Sequence, residues 1–264
     1  MKKRIIFLIV LSFIFLSLFA SEESNKVIEL EDESLLMAVL WHQTSAEYAA
    51  LAYQAYNIAR LRLDEDLQIK REKKRAIIVD IDETALNNSF YNAKGIIQEQ
   101  KYPEDFYKWI DSAQAEPVPG ALEFLTYAKE KGCEIFYISN RRARCIEGTM
   151  MNLKKFGFPF ADEKHILLKK DKISKKERRQ LVEEEYFIAL LIGDNLIDFA
   201  EVFKGKTIEE RFADVDKLKD EFGKRFIVLP NSMHGEWKKA LYDYEWNLTK
   251  EQMMEKRIRR LKTW

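Results

Sequence analysis

The chain has 264 residues, 47% of them hydrophobic, with 44 basic and 44 acidic side chains. That apolar content is enough to bury one large core, which excludes disorder as the default state, and the balanced charge gives no support to nucleic-acid or anionic-membrane binding. Only Cys133 and Cys145 are present, at a spacing that fits neither a zinc knuckle nor a redox pair.

The first residues, Met1-Lys2-Lys3-Arg4, are basic, and Ile5 to Phe19 is apolar apart from Ser12 and Ser17. This is the layout of a signal peptide over residues 1–20, cut near Phe19-Ala20-Ser21. An uncleaved anchor is the alternative, but the run falls short of the roughly 20 apolar residues a spanning helix needs. No cysteine stands near the cut to be acylated, so the processed chain is expected in the periplasm or outside the cell, with no stable membrane anchor. Losing Lys2, Lys3 and Arg4 leaves 41 basic against 44 acidic residues, a net of −3. Export permits a Cys133–Cys145 disulfide; two buried thiols are the other reading.

Residues 21–70 read as an acidic leader followed by a helical extension, with Leu40, Trp41, Tyr48, Leu51, Ala52, Tyr56 and Ile58 at helical spacing from Leu35 to Ile69. From residue 71 to 264 the pattern is that of one core domain. Arg75 to Asp80 is a short apolar run, and Cys133 to Ile138, Phe187 to Ile192 and Phe226 to Leu229 resemble it, with a shorter fifth at His165 to Leu168. Helical patterns intervene at residues 120–131, 144–156, 174–184 and 208–222. Strands alternating with helices predict an α/β fold: a Rossmann-like parallel sheet covered on both faces. The aromatic-rich insertion at 87–116 follows the first strand, where an element covering a site belongs. An ordinary surface excursion is its other reading.

Ligands in such sheets bind beyond the carboxyl ends of the strands. Four polar clusters fall there: Asp80-Ile81-Asp82-Glu83-Thr84, Ser139-Asn140-Arg141, the lysine-rich 169–176 segment, and Gly193-Asp194-Asn195-Leu196-Ile197-Asp198. Phosphoryl transfer needs a nucleophile, a proton donor and positive charge around the transferring oxygens. Carboxylates alone repel phosphate, so a divalent cation such as Mg2+ is expected, with Asp80 and Asp194 as suitable ligands. Ser174-Lys175-Lys176-Glu177 has the form of a capping box, which places Lys175 and free backbone N–H groups at a helix start. Lys175 is the preferred phosphate-binding cation and Lys172 the runner-up.

Together these clusters resemble the haloacid dehalogenase superfamily. Within it the chain is similar to class C acid phosphatases, the group that includes outer-membrane lipoprotein e. The segments Trp41-His42-Gln43-Thr44-Ser45-Ala46-Glu47, Pro117-Val118-Pro119-Gly120-Ala121, Leu168-Lys169-Lys170-Asp171-Lys172 and Leu229-Pro230-Asn231 extend that similarity over nearly all the exported part.

The resemblance implies Mg2+-dependent hydrolysis of a small-molecule phosphomonoester, a nucleoside 5′-monophosphate or nicotinamide mononucleotide, through an aspartyl-phosphate on Asp80. Asp82 is the implied acid and base. The metal is implied to lie on Asp80, Asp194 and the backbone carbonyl of Asp82, with Asp198 steadying its water. Ser139 is implied to bind phosphate, although helix capping is its plainer reading. Trp109, Tyr91 and His234 are implied to hold the substrate's ring. His234 stands in Pro230-Asn231-Ser232-Met233-His234-Gly235 where the family often has an aromatic hydroxyl. A homodimer is implied by the resemblance alone. Two rivals share the fold: a non-catalytic storage protein, which Asp80 argues against, and a dehalogenase, which needs neither Asp82 nor a metal.

Overall fold

The computed structural model describes residues 33–170 and 173–264. The expected signal peptide, nearly all of the leader and Lys172 lie outside them.

Five parallel strands form the sheet: β1 (Arg75–Val79), β4 (Glu134–Arg142), β5 (Ile166–Lys169), β6 (Phe187–Gly193) and β7 (Phe226–Val228), in the order β5-β4-β1-β6-β7. These are the five apolar runs of the sequence. They carry no polar face because both sides are buried: Ile77 and Val79 of β1 enter the larger core, while Ala76 and Ile78 enter the smaller one opposite. The chain leaves β1 toward β4 on one side and later returns to β6 on the other. The crevice at this reversal lies between the ends of β1 and β6.

The long amino-terminal pattern is two helices, not one. α1 (Glu33–Thr44) ends where Ser45 caps α2 (Ala46–Leu67) by accepting from the Tyr48 N–H at 3.0 Å. A serine hydroxyl competes well for that amide, which is why the chain turns there. α2 packs Ala52, Ala55, Tyr56, Ala59 and Leu63 on the larger core, and the Tyr56 hydroxyl donates to the Thr84 carbonyl at 2.7 Å. The extension is thereby fastened to the loop after β1.

The 87–116 insertion folds as α3 (Ser89–Ile97) and α4 (Glu104–Ser112), closed at its base by an antiparallel pair of β2 (Leu86–Asn87) and β3 (Glu116–Pro117). The four predicted helices follow as α5 (Ala121–Glu130), α6 (Ile146–Phe156), α7 (Lys175–Glu185) and α8 (Ile208–Lys217). Two more, α9 (Glu236–Leu241) and α10 (Lys250–Arg260), close the chain. Cys133 and Cys145 are buried free thiols in the larger core.

Candidate active site

Asp80 follows β1 directly, and its amide donates to the Ile192 carbonyl of β6 at 2.9 Å. The loop that carries Asp80 is therefore sewn to the strand that delivers Asp194 and Asp198. Oxygens of Asp80, Asp194 and Asp198 lie within 4.8 Å of one another. Gly193 makes this possible, since a Cβ there would stand 2.5 Å from Asp198 Oδ2.

Lys175, the first residue of α7, reaches into the cluster and donates to Asp80 Oδ1 at 2.5 Å and Asp198 Oδ1 at 2.6 Å. Ser174 caps its helix through a complete capping box with Glu177, as the sequence predicts. Burial opposes the ammonium, but the two carboxylates outweigh it and hold Lys175 protonated far above its ordinary range.

One ammonium cannot balance three clustered carboxylates, Asp80 and Asp198 buried and Asp194 half-buried. Burial, then the charge of Asp80, pushes Asp194 up to about 7, even with Asn231 Nδ2 donating to its Oδ2 at 2.7 Å. Burial likewise raises Asp80 against the pull of Lys175. Such an all-oxygen, net-negative set fits a hard divalent cation.

Asp82 points elsewhere. Its Oδ1 accepts from Arg141 Nε at 3.0 Å, Arg141 Nη2 at 2.9 Å and Asn88 Nδ2 at 2.9 Å, and its Oδ2 accepts from the Ser139 hydroxyl at 3.2 Å. Burial pushes this carboxyl up, but Arg141 and its hydrogen bonds hold it below the usual carboxylate range. The guanidinium is itself fixed by donating to Thr149 Oγ1 at 3.0 Å.

Glu83, with φ 57° and no exposed surface, turns the chain back. Its carboxylate accepts from the Asn88 amide at 2.8 Å and from His234 Nε2 at 2.6 Å. Burial opposes the imidazolium, but the Glu83 carboxylate pushes His234 up to about 9, so the residue that replaces the expected aromatic hydroxyl brings a positive charge to the cleft.

These groups line a cleft of about 450 Å³, with Tyr91, Tyr102, Phe106 and Tyr107 of the insertion as its aromatic wall. Tyr91 and Phe106 have centroids 5.0 Å apart, and Tyr102 stacks on Phe106 at 6.3 Å. Trp109 does not line the cleft, which corrects its expected place: it packs against the larger core and donates its indole N–H to Asn88 Oδ1 at 2.8 Å. Its α4 neighbours Phe106 and Tyr107 touch the same core but also line the cleft. A larger depression of about 680 Å³, lined by Arg62, Asp66, Arg71 and Phe187 among others, lies at the amino-terminal strand ends, and its Arg71 and Asp66 pair with each other.

The structure thus brings together Asp80, Asp82, Ser139, Lys175, Asp194, Asp198, Tyr91 and His234 in one cleft. Four positioning groups escaped the sequence reading: Glu83, Asn88, Arg141 and Asn231. Glu83, Arg141 and Asn231 lie inside the quoted polar segments and Asn88 inside the insertion, and that placement was the available signal.

A fifth is His42, which is 4% exposed and whose Nε2 accepts from the Ser232 amide at 3.3 Å, steadying the loop that carries Asn231 and His234. Burial, against the opposing pull of Glu83, depresses its value from 6.5 to about 4. As pH falls the unfolded chain takes this proton first. The stability His42 contributes is therefore full above pH 6.5 and is lost as pH drops toward about 4, by roughly 3 kcal/mol. Urea unfolding of wild type and His42→Gln at pH 7 and 4.5 is expected to show a smaller acid-induced loss in the variant. Equal losses would remove His42 from the acid response.

The chain belongs to subfamily IIIB of the HAD superfamily, the acid phosphatases, whose family model matches residues 15–237. It is a phosphomonoester hydrolase on that ground. It is similar to the class C acid phosphatase from Bacillus anthracis, with 42% identity, a TM-score of 0.84, and coverage of 88% of this chain and 98% of that one. A second structure of that enzyme, with tungstate bound, matches with the same values.

Proposed function

We propose that the protein is a Mg2+-dependent phosphatase that forms an aspartyl-phosphate on Asp80 and acts on nucleoside 5′-monophosphates or nicotinamide mononucleotide. The observation that carries this reading is Lys175 bridging Asp80 and Asp198 beside Asp194, in a buried cluster at the reversal point of the sheet. The tungstate in the Bacillus anthracis relative supports it, since tungstate is a tetrahedral oxyanion like phosphate.

Asp80 Oδ attacks phosphorus and the ester oxygen leaves, which splits one displacement into two easier ones. Lys175, the Ser139 hydroxyl and the amide groups at the start of α7 balance charge on the phosphoryl oxygens. Arg141 keeps Asp82 ionised in the free site, the state in which it takes a proton from the attacking water. An incoming phosphate dianion raises it toward the protonated state in which it serves the leaving alkoxide. Asp80, Asp194 and the Asp82 carbonyl would hold the cation, with Asp198 within reach. When bound it offsets the carboxylate charge against the substrate's and polarises the phosphoryl group.

The substrate ring is taken against Tyr102, Phe106 and Tyr91. Tyr102 is 77% exposed, so its removal disturbs little packing. Tyr102→Ala is expected to lower kcat/KM for adenosine 5′-monophosphate about fivefold, the lower end of what a base–aromatic stack contributes, while sparing glycerol phosphate. Trp109→Ala, by contrast, is expected to lower both substrates alike. A phosphomonoester panel with Mg2+ checks this, and equal loss on both substrates in Tyr102→Ala would move the ring site elsewhere.

A further inference from the structure

Beyond the catalytic cluster, the carboxyl ends of β4 and β5 carry positive charge that nothing in the described structure answers. Arg142 and Lys169 are register partners on these adjacent strands. Arg142 is exposed and lines the cleft. Neither side chain has a carboxylate partner among the described residues. Like charges side by side on neighbouring strands are unfavourable unless something else neutralises them.

Beneath them Arg178 of α7 is buried, and its hydrogen bonds go to neutral acceptors: the carbonyls of Ser139 at 2.5 Å, Leu167 at 2.7 Å and Ser174 at 3.2 Å, and Asn140 Oδ1 at 3.0 Å. The acidic groups nearby are already taken. Glu201 pairs with Lys204 at 2.8 Å and Glu236 with Lys239 at 2.6 Å. Lys169 accordingly sits below its ordinary range, through partial burial first and then through Arg142, Lys204, Arg178 and Lys239.

We propose that Arg142 and Lys169 form a second anion site at the mouth of the cleft, which takes a second phosphate carried by the substrate. Arg142 lies past Ser139 beyond a bulge in β4: Ile138 and Arg142 pair with Leu167 and Lys169, only two residues apart on β5, so they stand roughly 7 Å apart along the sheet. That is a distance a nucleoside bisphosphate or a sugar bisphosphate can bridge with one phosphate at Asp80. The proposal rests on the phosphatase reading for which phosphate reacts, but not for whether the second one binds.

The two are separated by measuring affinity without turnover. In Asp80→Asn, with Mg2+ present, calorimetry compares adenosine 3′,5′-bisphosphate with adenosine 5′-monophosphate, and fructose 1,6-bisphosphate with fructose 6-phosphate. Two charge contacts, one from exposed Arg142 and one from half-buried Lys169, are expected to favour the bisphosphate about five- to thirtyfold in at least one pair at low ionic strength, falling toward equality in 0.5 M NaCl. Adding Arg142→Gln or Lys169→Gln is expected to remove part of the preference each, and both together nearly all of it. Equal affinities within both pairs, or a preference untouched by these substitutions, would overturn the subsite. A preference retained in a protein whose wild type hydrolyses no phosphomonoester would overturn the reaction and leave the subsite standing.

Discussion

Asp80→Asn is expected to lower turnover of any phosphomonoester by at least about 10⁴-fold, because removing the nucleophile from a set of groups that act as a unit removes nearly all of their catalysis. The fold is expected to survive. Asparagine is nearly isosteric, and Lys175 keeps Asp198 as a partner at 2.6 Å. The charge count gives a sharper expectation: the variant replaces one of the two buried carboxylates that share one ammonium, with the half-buried Asp194 beside them. In chelator it is expected to melt at or above the wild-type temperature. Steady-state assays and thermal melts check both halves. Activity within tenfold of wild type would end the covalent mechanism on Asp80, and a large drop in melting temperature would show that the lysine depended on it for stability.

Stripping divalent cations is expected to reduce wild-type activity on the order of 10²-fold or more, with Mg2+ restoring it. In Asp194→Asn the Mg2+ needed for half-activation is expected to rise at least tenfold. The physical ground is the pressure on Asp194, pushed up to about 7 by burial and Asp80 despite the Asn231 hydrogen bond. A bound dication relieves that pressure, so Mg2+ is also expected to raise the wild-type melting temperature and to leave that of Asp194→Asn nearly unchanged. This second readout does not depend on turnover. Identical metal titrations in the two proteins would place the cation on other residues.

Much of the site was legible before any coordinates because its groups sit where local rules place them. Asp80, Ser139 and Asp194 fall at the ends of apolar runs that are too short and too continuous for amphipathic helices, and these runs became β1, β4 and β6. Ser174 through Glu177 is a local hydrogen-bonding pattern, so the start of α7 and the place of Lys175 came with it. The helix break at Ser45 was a missed instance of the same rule, hidden because the apolar spacing continues across it.

Trp109 shows the limit from the other side. Periodicity tells that α4 has an inward face, but its aromatic residues at 106, 107 and 109 all touch the core, and only the fold decides that Phe106 and Tyr107 also reach the cleft while Trp109 does not. Glu83, Asn88, Arg141 and His42 were missed for a related reason. Asn88 bonds to Asp82 and Glu83 across a turn with no standard motif, and the others act through distant partners, as when His234 meets Glu83 across 151 residues and Arg141 meets Asp82 across 59. The sequence by itself determined the strands, the acidic loop after β1 and the capped lysine, because these depend on side-chain period and hydrogen bonds within a few residues. Tertiary structure alone decided which carboxylate faces the ammonium and which the guanidinium, and which aromatic rings reach the cleft. Those choices are settled by burial and charge compensation among groups that meet only when the sheet closes.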